Sequence, residues 1–127
     1  MTGRMTLYFD GGARPNPGRM EIAVVTGGRS HIRDDVGQGD NCTAEWLALR
    51  LAAEIARDAG AQDVLFVGDA RTIVEQALGH WTCRSAHLKP HLAAYRETVA
   101  GIARVHVKHV GRSKNLAGQA LARRHPR

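Results

Sequence analysis

The chain opens on an apolar, aromatic run, Leu7-Tyr8-Phe9, of the kind that fills a buried strand. The run stops at Asp10. Gly11 and Gly12 follow, then Pro15, Asn16, Pro17 and Gly18, so the pattern predicts a strand ending on Asp10 and an irregular turn after it. Met20–Thr26 (MEIAVVT) and His31–Val36 (HIRDDV) read as two further strands joined through Gly27-Gly28-Arg29-Ser30, a hairpin signal. These three strands are expected to form an antiparallel meander.

From Thr43 to Asp58 the period becomes helical (TAEWLALRLAAEIARD), with Arg50, Glu54, Arg57 and Asp58 on one narrow polar face. Glu45 breaks the pattern. It stands nine residues before Glu54, and at ~100° per residue it falls on the opposite side, among Ala48, Leu49, Ala52 and Ala56. A carboxylate in an apolar stripe is costly unless its charge is compensated, as a metal cation would do. A frayed first turn that lets Glu45 reach water is the other reading. After Gly60, Asp63–Asp69 (DVLFVGD) is a second apolar run that ends on an aspartate. A strand, an intervening helix and a strand buried on both faces make the pattern of a parallel pair. Were the two strands adjacent, Asp10 and Asp69 would project from neighbouring carboxyl ends, where α/β sheets place their sites, and Glu45 would converge on them.

Thr72–Leu78 reads as a short helix stopped by Gly79. Leu88, Leu92, Tyr95 and Val99 space another helix, with Pro90 in its first turn. Ile102–Val110 alternates as a strand that keeps Arg104, His106 and Lys108 on one face, and Asn115–Arg124 reads as a last, basic helix. The order βββαβααβα predicts one α/β domain over residues 1–127, built on a mixed sheet.

Charge adds a partner. Of 18 Lys and Arg residues, seven follow Glu97 and no acidic residue does, which leaves 11 basic against 12 acidic side chains before that point. The whole excess of +6 therefore lies in the last 30 residues. One-sided positive charge suggests a polyanion, nucleic acid first, with a solvated basic tail as the alternative. An aspartate on a rigid strand beside Gly11 and Gly12, which let backbone approach a ligand, suits a metal ligand or a general base; it equally suits a turn cap. No apolar run approaches the ~20 residues that span a bilayer, and no signal peptide is evident. Cys42 and Cys83 lack Cys or His partners at zinc spacing and read as ordinary thiols of a reducing cytoplasm.

Four segments together resemble the ribonuclease H family: FDGGARPNPG near the start, NCTAEWLAL opening the main helix, LFVGDARTIVEQALG after the fourth strand and HVGRSKNLAGQALARR at the end. The match is to the compact form, without a separate hybrid-binding domain and without the insertion that forms a basic protrusion in some members. It implies a ribonuclease H-like fold, a five-stranded mixed sheet with helices on both faces, in a monomer. It also implies hydrolysis of the RNA strand of an RNA–DNA hybrid with two divalent ions, Mg²⁺ or Mn²⁺, ~4 Å apart. Asp10, Glu45 and Asp69 fall on the family's first three carboxylate positions, Asp10 bridging both ions. Asn16 and Asn41 match positions that contact the minor groove and the 2′-OH, although Asn41 also suits a helix cap. His109 matches a histidine that aids proton transfer or product release, and equally reads as the last residue of its strand. Arg112 and Lys114 read as phosphate contacts. The pattern N-x-x-A-D-x-L-A departs: Gln119 takes the place of the fourth carboxylate, Gly118 that of the usual Ala, and Ala70 follows Asp69 where Ser is usual. A neutral ligand at 119 implies one weaker metal site, in a slower enzyme or a domain that only binds nucleic acid. A related nuclease with another substrate is the third reading.

Overall fold

In the computed structural model, which describes residues 3–125, six strands and four α-helices form among the described residues. They run β1 (Met5–Arg14), β2 (Gly18–Thr26), β3 (Arg29–Arg33), β4 (Gln38–Gly39), α1 (Asn41–Asp58), β5 (Asp63–Gly68), α2 (Arg71–Leu78), α3 (Lys89–Val99), β6 (Arg104–His109) and α4 (Leu116–Ala122). One turn of 3-10 helix, Arg112–Lys114, precedes α4. The sheet order is β3-β2-β1-β5-β6, antiparallel through β1, β2 and β3 and parallel through β1, β5 and β6. The meander and the parallel pair expected from the sequence are both present.

The bounds of β1 and β3 differ most from the sequence pattern. β1 does not stop at Asp10; it stays paired with β2 from Gly11↔Ile22 to Arg14↔Arg19, and the turn is confined to Pro15–Pro17. Ladder bonds to a neighbouring strand outweigh the local preference of glycine for turns. β3 begins at Arg29 and ends at Arg33 instead of spanning His31–Val36. Gly27 and Gly28 both take positive φ, +56° and +76°, and this tight two-residue turn leaves Arg29 opposite Thr26. The sheet also gains a strand beyond the expected five. β4 pairs through Gly39 and Gln38 with Gly18 and Arg19, so β3 and β4 share the outer edge of β2.

Helices cover both faces. On one, Leu7, Phe9 and Phe66 of the sheet meet Trp46 and Leu49 of α1, all fully buried, with Leu92 and Tyr95 of α3 beside them. Burying such a side chain stabilises the fold by roughly 1.5–3 kcal/mol. Trp46 Nε1 donates to the buried Gln76 side chain (3.3 Å), so the largest core residue leaves no orphaned donor. On the other face, Ala117, Ala120 and Leu121 of α4 close over Ala23 and Val25 of β2.

One contact sets the height of α1 over the sheet. A Cβ on Gly11 would run into the Ala44 carbonyl, so the bare backbone of β1 lets the first turn of α1 settle directly onto it. Gly11→Ala should therefore lower stability by about 3 kcal/mol or more in denaturant titration. A loss below about 1 kcal/mol would mean that the helix lifts away at little cost.

Candidate active site

Asp10 lies on β1 two residues past Tyr8, the last residue that pairs with β5, and Asp69 is the first residue after β5. The two aspartates thus flank the point where the parallel strands part. α1 brings the third carboxylate. Asp40 caps it, accepting from the Thr43 N–H at 2.7 Å, so the helix begins at Asn41 and Glu45, its fifth residue, follows an ordered first turn. The frayed first turn is excluded. One ligand oxygen from each of Asp10, Glu45 and Asp69 lies within 4.8 Å of the others.

Like charges this close, partly out of water, hold protons tightly. Burial first, and Asp69 second, push the Asp10 carboxyl up to about 7, against the Gly11 backbone N–H and Arg112, which pull it down. Glu45 is pushed up to about 9, chiefly by burial and then by Asp10 and Asp69, with Arg112 again opposing. Glu45 Oε2 is a buried oxygen with no hydrogen-bond partner among the described residues. An orphaned carboxylate oxygen facing two further carboxylates is a donor set of hard oxygen ligands, and it fits a hard divalent cation.

The cluster opens into a cleft of about 550 Å³ whose wall includes Gly12, Asn41 and Arg112. The two asparagines tie its rim together: Asn16 Oδ1 accepts from the Asn41 backbone N–H (3.1 Å), and Asn41 Oδ1 accepts from the Ala13 N–H (2.8 Å). Asn41 does not cap α1; Asp40 does. Each asparagine uses its carbonyl on the fold, and its NH₂ group has no partner among the described residues. Lys114 is exposed on the 3-10 turn, outside the cleft lining.

His109 closes β6 opposite Gly68, and its Nδ1 is 3.2 Å from the Arg71 guanidinium, which is itself held by Glu75 at 3.2 Å. A guanidinium only donates, so Nδ1 accepts and the ring proton sits on Nε2. Gln119 is exposed, and its Nε2 donates to the Ser113 carbonyl at 2.9 Å. From α4 it is Gly118 that faces the cluster, with its Cβ position 3.4 Å from Asp10 Oδ2.

Two further residues shape the site through contacts that leave no local trace in the sequence. Asn115, fully buried, donates to the Phe9 carbonyl (2.9 Å), lies 3.5 Å from Asp69 Oδ2, and accepts from the Ala117 N–H as the cap of α4. An asparagine just before a helix announces a cap, but nothing local announces its reach to β1. Arg71 stands i, i+4 from Glu75, and its grip on His109 is a tertiary contact.

The family described as Reverse transcriptase-like matches residues 13–125. Ribonuclease HI of Halobacterium salinarum is 34% identical over 125 residues, which cover 94% of this chain and 63% of that protein's length. Among solved structures, RNase H1 from the same archaeon superimposes with a TM-score of 0.86 at 31% identity, covering 94% of both chains. LC11-RNase H1 in complex with RNA/DNA hybrid superimposes with a TM-score of 0.83 at 27% identity, covering 92% of each. With these likenesses on the same strands and helices that gather Asp10, Glu45 and Asp69, the chain belongs to the reverse transcriptase-like family and has the ribonuclease H fold that its motifs indicate.

Proposed function

We propose that the protein is a metal-dependent endoribonuclease that hydrolyses the RNA strand of RNA–DNA hybrids. The observation that carries this reading is the convergence of Asp10, Glu45 and Asp69 around an orphaned buried oxygen at the mouth of a cleft. These three residues would hold two Mg²⁺ or Mn²⁺ ions. Bound there, such ions activate a water molecule and stabilise the leaving 3′ oxygen. Arg112 neutralises a phosphate at the cleft wall, and Lys114 adds charge on the same turn. Gly11 sets the depth of the site, and Gly12 leaves bare backbone beside Asp10 for the strand to lie on. The free NH₂ groups of Asn16 and Asn41 suit the acceptors of a minor groove and a 2′-OH, which distinguishes RNA from DNA. His109, held at Nδ1 by Arg71, is the group that would aid proton transfer or product release. The resemblance to a hybrid-bound RNase H1 supports the substrate class. The protein would act as a monomer, and its two free thiols suit a reducing cytoplasm.

Labelled hybrid incubated with Mg²⁺ or with Mn²⁺, beside single-stranded RNA and duplex DNA, tests the reading. Cleavage of the RNA strand of the hybrid alone, abolished by chelator, is the expected result. Hybrid retention without cleavage under either ion would establish the second reading, a binding module, which the neutral Gln119 favours. Cleavage of a control in preference to the hybrid would establish a nuclease of another substrate class.

Position 119 has its own test. An aspartate there cannot donate to the Ser113 carbonyl, and repulsion from that oxygen turns it toward the cations. Gln119→Asp should raise the cleavage rate roughly five- to tenfold at limiting Mg²⁺, the scale of one added charge interaction, and less at saturation. Rate against Mg²⁺ concentration checks it; superimposable curves for the two proteins would mean that position 119 does not reach the metals.

A further inference from the structure

Side chains alternate along β1, so Asp10, Gly12 and Arg14 share one face of the sheet, and Arg19, directly opposite Arg14 on β2, shares it with them. Four residues of strand separate Asp10 from Arg14, about 13 Å. Between them Gly12 offers no side chain, and nothing lies within 3.4 Å of its Cβ position. The floor of the cleft is therefore open from the carboxylates to the closed end of the β1–β2 hairpin. There a second cavity, about 240 Å³, shares Arg14 and Glu21 with the cleft over the carboxylates.

The charge in this second cavity is not balanced. Arg14, Arg19 and Arg124 face two carboxylates, Glu21 and Asp34, which leaves a surplus positive charge before His125 is counted. Arg124 and His125 are consumed by the fold. Arg124 spans Glu21 (3.4 Å) and Asp34 (2.8 Å), and His125 Nε2 is 2.7 Å from Glu21, which is only 7% exposed. Arg14 and Arg19 are anchored by Nε alone, to Glu21 at 3.5 Å and to the Asp34 carbonyl at 3.0 Å. Among the described residues their terminal NH₂ groups have no partner, and both side chains are exposed. A guanidinium fixed at its stem, with two donors free, is suited to an anionic oxygen pair.

We infer that Arg14 and Arg19 form a second anion subsite that takes a backbone phosphate of the nucleic-acid strand crossing the carboxylate cluster. The subsite rests on the hydrolase reading above, and it places the strand along β1, over Gly12, toward the hairpin. Arg112 on one side of the carboxylates and this pair on the other would hold the strand on both flanks of the reacting phosphodiester. Of the residues lining the cavity only His125 carries an aromatic ring, and that ring is tied to Glu21 at 2.7 Å, so the subsite contributes to affinity and register and not to sequence choice.

The test is equilibrium binding of a fluorescent RNA–DNA hybrid in chelator, so that no strand is cut, across a range of salt. Wild type, Arg14→Ala, Arg19→Ala, the double alanine variant and the double lysine variant are compared, with melting temperatures recorded beside them. The double alanine variant should flatten the log–log salt dependence by about one unit, for the one phosphate lost, each single alanine should give part of that change, and the lysine variant should restore it. Hybrids carrying a neutral methylphosphonate at one position at a time locate the contact. One position on one strand should weaken wild type while leaving the double alanine variant unaffected. Wild type that holds hybrid, with all variant slopes unchanged, overturns the subsite alone. Wild type that holds no hybrid overturns the functional reading and the subsite with it.

Discussion

Asp10→Asn should leave hybrid bound and uncut. The carboxylate clusters with those of Glu45 and Asp69, its ligand oxygen within 4.8 Å of theirs, so its loss removes one of three donors from any cation the cluster would hold. Cation stabilisation of a phosphoryl transition state amounts to several kcal/mol, which corresponds to a loss of about a thousandfold or more in rate. Asn still offers a carbonyl oxygen and fills the same volume, so the fold should persist; indeed the repulsion that raises the Asp10 pKa to about 7 disappears. Binding should change little, because on the proposed reading Arg112, Arg14 and Arg19 would hold the phosphates. Asp69→Asn should behave alike. Single-turnover cleavage under saturating Mg²⁺, with hybrid affinity measured in chelator, separates the two effects. A variant cutting within tenfold of wild type would remove Asp10 from the chemistry.

The three carboxylates were legible in the sequence because each violates its surroundings. Two end apolar runs, and Glu45 interrupts a helical apolar stripe, so period alone marked it as misplaced. What periodicity cannot give is where polar side chains meet across the fold. Arg124 and Glu21 are 103 residues apart, and Asn115 and Phe9 are 106 apart, so neither contact leaves a local trace. The extension of β1 to Arg14 was hidden for a related reason. Glycines and prolines signal a turn to a reader of local propensity, whereas the pairing of Gly11–Arg14 with β2 is a property of the sheet. That difference matters for function, since only a strand that continues past Asp10 brings Arg14 onto the same face. Gln119 was legible by its spacing from Asn115, but its hydrogen bond to the Ser113 carbonyl depends on the 3-10 turn before α4.

Metal-free protein should lose stability as pH rises from about 5 to 9, and Glu45→Gln should remove much of that loss. In the folded chain the Asp10 and Glu45 carboxyls stand at about 7 and about 9, against ordinary values of 3.8 and 4.5. Between the ordinary and the folded values the native state binds more protons than the unfolded chain, so unfolding becomes easier with every increment of pH. The stabilising difference is whole below the ordinary values and is lost as pH climbs through the folded ones, at no more than ~1.4 kcal/mol per unit for each group. Glutamine carries no charge to desolvate and keeps the shape of the side chain. At pH 8 without metal, the variant should therefore exceed wild type by a few kcal/mol, on the order of 10 °C in melting temperature. The two proteins differ only at position 45, so the difference between the two curves isolates it. Saturating Mg²⁺ or Mn²⁺ should reverse the ranking, because the ions bind the ionised cluster of the wild type and stabilise it by mass action. Thermal melts from pH 5 to 9, in chelator and in metal, decide the matter: parallel wild-type and variant curves in chelator would mean that Glu45 is solvated and carries no unpaid charge for a cation to neutralise.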